Sequence, residues 1–175
     1  MIDTRGLSLD QAPPFHIPAR FFLTAPLFVL LAGLLLLWEG PSLLASRWLP
    51  LALAATHLIV IGYLGLLMCG ALLQMLPVVL GAPVPAVRWV GNLTHPLLSL
   101  GALFLAGGLG YGLPWSLAWG AVASALGFIC FLLPVTLALW HARGEPGTRR
   151  ALRAAALALL VTLLLGLVLS TFLLG

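Results

Sequence analysis

The sequence contains no lysine. Its eight basic residues are all arginine, and its acids are four: Asp3, Asp10, Glu39 and Glu145. Charged residues make up 7% of the chain, against about a quarter in an ordinary soluble domain. That leaves too little polar surface to dissolve 175 residues in water. No carboxylate pair lies within the long apolar runs, which removes the acidic ion and proton sites by which many transporters are recognised. There is no Ser-His-Asp set and no phosphate-cradling glycine loop, so nothing points to hydrolysis or nucleotide chemistry. Cysteine is scarce as well. Cys69 and Cys130 stand in separate apolar runs, with no CxxC and no Cys/His cluster at zinc spacing. Both read as small core residues.

What is present is apolar length. Hydrophobic residues make up 62% of the chain, with a mean hydropathy of +1.18. Five runs stand out, at about 20–38, 49–80, 86–110, 115–141 and 150–174. A ~30 Å hydrocarbon core takes roughly 20 helical residues to cross, and a lipid-embedded backbone must satisfy its own hydrogen bonds, which strands in an open sheet do not. The expectation is an all-α integral membrane bundle of about five transmembrane helices. Residues 1–18 read as a polar, proline-containing tail, not a signal peptide, and 19–175 as a single membrane domain. The links "EGPS", "GAPVP", "GYGLP" and "RGEPGT" carry turn chemistry and are too short for a second domain. No internal repeat is evident.

The arginines set the expected orientation. Arg5, Arg20, Arg88, Arg143, Arg149, Arg150 and Arg153 fall on one side of a five-span layout, and Arg47 alone falls on the other. The positive-inside rule then places the N-terminus in the cytoplasm and the C-terminus outside. The basic balance is a topology signal, and no nucleic-acid partner is expected. The lysine-free, Leu/Ala/Gly-rich composition suggests a bacterial inner membrane, with the lipid bilayer as first partner. Trp38, Trp48, Trp89, Trp115, Trp119 and Trp140 sit near span ends, where indoles favour the interface.

Chemistry is left to histidine. His16 and His141 lie at span ends, whereas His57 and His95 lie within spans. An ionisable side chain inside the bilayer is a functional candidate, and neutral imidazole is a common haem ligand. Against this stands a hydrogen-bonded core histidine, with Thr56 or Asn92 as a neighbouring partner. Around His95, Ser99, Ala102 and Ala106 form a smooth strip on one helix face. Beside His57, Gly62, Gly65 and Gly70 either allow close helix packing or leave room for a flat cofactor. Met68, on the same helix, reads as core filling.

"PARFFLTAPLFVLLAGLLLLW" resembles the first span of the NnrS family. The second span resembles it too, through the spacing of His57, Gly62, Gly70, Pro77 and Gly81. Together these cover roughly residues 17–85. The second span is also similar to the haem-ligand helix of heme-copper oxidase subunit I, in which a histidine lies toward the outer side. The resemblance implies a b-type haem protein acting in electron transfer or in handling nitric oxide or oxygen. His57 would be the axial ligand, with His95, Gly62, Gly65 and Ser99 as further cofactor-site candidates. A homodimer or a respiratory-chain redox partner would complete such a site. The rival readings are a non-catalytic accessory or assembly subunit of a respiratory complex, and a small transporter. In a simple hairpin, His57 and His95 differ in depth by about 20 Å. They share one iron only if a re-entrant segment between Pro77 and Pro96 lifts His95. Otherwise His57 ligates alone, or meets its own copy across a two-fold axis.

Overall fold

A computed structural model describes residues 12–174. Five long helices account for most of it: α1 (His16–Glu39), α2 (Pro50–Leu80), α3 (Val87–Tyr111), α4 (Pro114–His141) and α5 (Pro146–Leu174). Each is long and apolar enough to cross a bilayer. Among the described residues there is no strand, and the architecture is an all-α helical bundle. The boundaries follow local chemistry. Proline opens α2, α4 and α5 at the first helical position, where its missing N–H costs nothing. Gly81 and Gly112 close α2 and α3 in the left-handed conformation. The first helix starts at His16, inside the stretch read above as tail; Pro18 fits its first turn and Ile17 is buried. Residues 1–11, Arg5 among them, lie outside the described part.

Large residues of α1 seat on glycines of its neighbours. Ile17, Phe21, Ala25, Phe28 and Ala32 form its buried face. A Cβ added at Gly62 would overlap the Phe28 ring. At Gly70 it would stand 2.8 Å from Phe21 Cβ, and at Gly91 2.6 Å from Ile17 Cγ2. Lipid gives no hydrophobic drive between helices, so such close backbone approach is what holds them together.

The α3–α4 hairpin uses the same device from both sides. Gly101 faces Ser124 and Gly108 faces Leu117, while Gly120 faces Leu105 and Gly127 faces Leu98. Each step of three or four residues along α3 is matched by an equal step back along α4. At each step a small residue on one helix receives a larger one from the other. The two-residue link Gly112–Leu113 fixes this register, with the Gly112 N–H donated to the Gly108 carbonyl.

The final helix is the least embedded, with 6% of its most apolar window buried, and it packs on α4. Its start is capped by Glu145, which accepts hydrogen bonds from the backbone N–H groups of Gly147 (2.7 Å) and Thr148. The Thr148 bond first, then the Gly147 bond, hold the Glu145 carboxyl below its usual range. A lowered folded-state pKa contributes stability above the ordinary Glu value of ~4.3, and that contribution disappears as pH falls through the folded value. The Tm gap between wild type and Glu145→Gln should therefore be full at neutral pH and should close in acid. A gap that persists or widens in acid would contradict the cap.

The helix ends sort by charge. The Arg143 N–H donates to the Leu80 carbonyl, and Arg20 lies against Gly91. The start of α1, the α2–α3 link and the α4–α5 link thus share one end of the bundle, carrying Arg20, Arg88, Arg143, Arg149, Arg150 and Arg153. Arg47 stands at the other end, stacked 5.1 Å from the Trp48 ring centroid.

Candidate functional site

His57 closes the first α-helical segment of α2, and the next eight residues, Leu58–Gly65, form a π-helix. π-Helix accounts for well under 1% of residues and gathers at functional sites. It widens the turn and shifts the phase of every side chain that follows. The glycines at its middle and end, Gly62 and Gly65, admit that wider backbone where Phe28 and Phe128 press on it.

The ring of His57 is half-buried, and its Nδ1 lies 2.8 Å from the Leu53 carbonyl oxygen. A carbonyl only accepts, so Nδ1 carries the proton and, in the neutral ring, Nε2 keeps its lone pair. Protein metal sites commonly orient a ligating imidazole through such an Nδ1–H···O=C bond. His141 makes the same bond to Leu137 at an exposed helix end, so the bond alone does not distinguish a ligand. What distinguishes His57 is its surroundings.

It lines a half-open cavity of about 250 Å³ among α2, α4 and α5. The walls include Ile61, Ala121, Phe128, Leu163 and Gly166. Three hydroxyls in the lining already bond carbonyls of their own helices: Thr56 to Ala52, Thr162 to Ala158 and Ser170 to Leu167. Ser124 Oγ is buried without a partner beside Gly101. His57 Nε2 and Ser124 Oγ are therefore the side-chain polar atoms of an otherwise apolar chamber that make no hydrogen bond among the described residues.

His95 is placed elsewhere. Its Nε2 lies 3.0 Å from Thr24 Oγ1, and its ring meets Phe21 edge-on at 5.1 Å. Neither Thr56 nor Asn92 partners the histidines; the Leu53 carbonyl and the Thr24 hydroxyl do. Phe21 packs on Gly70, so His95 sits at the level of Gly70, thirteen residues along α2 from His57. That is about 20 Å of helix. No re-entrant segment closes this gap, because Pro77 and Pro96 both lie inside continuous helices.

Of the other residues singled out from sequence, Gly62 has its open side taken by Phe28. Gly65 borders the chamber through Phe128, 3.5 Å from where its Cβ would be. Ser99 Oγ is buried without a partner on α3 and does not line the chamber. Cys69 and Cys130 are free thiols. Among the described residues no three His, Cys, Asp or Glu side chains gather around one point.

Sequence reasoning missed the π segment, the Thr24–His95 bridge and the part played by α5. The small-residue series Ala158, Thr162, Gly166 and Ser170 was the available signal for the last of these. Comparison of the chain with protein families, with curated proteins and with solved structures gives no match.

Proposed function

We propose that this chain is a membrane protein that binds a b-type haem through His57 and serves electron transfer or the handling of a diatomic gas. One observation supports the reading above the others: a half-buried imidazole with its tautomer set by the Leu53 carbonyl, lining an apolar chamber at the head of a π segment. The donor chemistry fits the group. Neutral imidazole nitrogen is an accepted haem ligand, and the walls suit the apolar body of a porphyrin.

The volume fits only in part. About 250 Å³ exceeds the ~150 Å³ that accepts benzene, but four pyrrole rings around a metal need more than this chain encloses. The chamber would hold part of the group, and a second protein surface would cover the rest. A second copy or a respiratory partner would serve. A bound haem would supply a one-electron couple and, at an open iron position, a site for nitric oxide or oxygen. The chain's own residues orient the imidazole through the Leu53 carbonyl and line one side of the site with apolar side chains. The purified protein should show a Soret band and a dithionite-shifted visible spectrum. A colourless protein after expression with haem precursor would leave the accessory or assembly subunit, with His57 a hydrogen-bonded core residue.

The arginine-bearing end supports an inner-membrane orientation with the N-terminus in the cytoplasm and the C-terminus in the periplasm. A C-terminal alkaline phosphatase fusion should be active, and a C-terminal green fluorescent protein fusion dark. The reverse pattern would invert the layout.

A further inference from the structure

A second groove, of about 290 Å³, runs between α4 and α5 at the arginine-bearing end. It extends from Trp140 and Arg153 at its mouth to Leu133 and Leu160 inside. Along α4 this spans seven residues, or about 10 Å. The interior is apolar: its one hydroxyl, Thr136, already donates to the Leu132 and Leu133 carbonyls. The mouth is cationic. Arg153 bonds the Leu139 carbonyl through Nε (3.3 Å) and Nη2 (2.8 Å), and the Trp140 carbonyl through Nη2 (3.2 Å). Its guanidinium carbon stands 5.7 Å from the Trp140 ring centroid. These contacts satisfy the last carbonyls of α4 and pin the charge at the rim, while Nη1 makes no hydrogen bond among the described residues. Arg143, Arg149 and Arg150 add positive charge nearby. The single acid of the α4–α5 link, Glu145, is engaged in capping α5.

We propose that this groove binds one anionic phospholipid, with an acyl chain along α4 and α5 and its phosphate at Arg153. A fixed guanidinium with an unused donor, beside an interfacial indole and above a hydrocarbon-lined slot, matches the parts of such a lipid in their order of depth. A peptide would bring backbone groups into a groove that offers no hydrogen bonds to receive them. This site lies at the opposite end of α5 from the lower wall of the His57 chamber at Ser170 and does not depend on the haem reading.

The test uses the full chain in detergent, melted with mixed micelles of phosphatidylglycerol, with phosphatidylcholine of the same chains, or with inorganic phosphate alone. Phosphatidylglycerol should raise Tm the most, and native mass spectrometry should show it retained preferentially. Arg153→Gln should cut that retention about fivefold. Leu160→Trp, which fills the groove away from the charge, should abolish it in protein that still folds. Arg47→Gln, at the other end, should leave it unchanged. Equal stabilisation by phosphatidylcholine or by phosphate alone would overturn the proposal, as would preference surviving both groove variants or lost in Arg47→Gln. Retention of a peptide in place of the lipid would overturn it too.

Discussion

His57→Ala is expected to remove the Soret band entirely while His95→Ala leaves it in place. The asymmetry follows from position. His57 lines the α2–α4–α5 chamber with Nδ1 committed to the Leu53 carbonyl, so the nitrogen left for a ligand is Nε2. In His95 the Nε2 already meets Thr24, and the ring sits at the level of Gly70, about 20 Å along α2. Two side chains that hold one metal ion must both reach it, and a gap of about 20 Å prevents that for these histidines within one chain. Alanine is tolerated in membrane helices, so His57→Ala should insert and melt much like wild type apart from the lost ligand. His95→Ala should instead lose a bridge between α1 and α3, with a cost of about 1 kcal/mol for the hydrogen bond. Absorption spectra and melting curves of the two variants separate these effects. Loss of haem from both would reinstate a shared site; retention in His57→Ala would move the ligand elsewhere.

Gly108→Ala and Gly120→Ala should be among the most damaging single-methyl additions at the described glycines. A Cβ at Gly108 would meet the Leu117 backbone, and one at Gly120 would stand 2.5 Å from the Leu105 backbone nitrogen. A backbone atom cannot rotate aside as a side-chain tip does, so the two helices must separate, at about 1–3 kcal/mol for each substitution. The sites belong to one register, and the double variant should not be additive. Gly166→Ala is the control. A Cβ there meets nothing within 4 Å, and alanine favours helix over glycine by about 0.5–1 kcal/mol. Its Tm should be unchanged or slightly higher. Equal losses at Gly108 and Gly166 would mean that helix propensity, and not α3–α4 packing, governs stability.

The number of spans, their approximate limits and their alternation across the bundle were legible in the sequence. Each of these follows from a one-dimensional rule: apolar length against bilayer thickness, proline and glycine at helix ends, and arginine at one set of links. Glycine spacing marked where helices approach, since only a missing side chain permits it. It did not say what arrives there. Gly62 could have faced a porphyrin or a phenyl ring, and the tertiary structure put Phe28 against it. Likewise the sequence put His57 first and His95 second by resemblance, without a cavity for either. The packing of Phe21 on Gly70 returned the separation of about 20 Å that a simple hairpin already gave, and only the fold of α5 onto α4 gave His57 a chamber. The π segment was illegible because helix phase depends on tertiary contacts, and the side chains that meet its glycines, Phe28 and Phe128, are distant in the chain. Spans are set by each segment's own contact with lipid. Which side chains share a cavity is set by helix phase and register, and those are settled only when the helices pack.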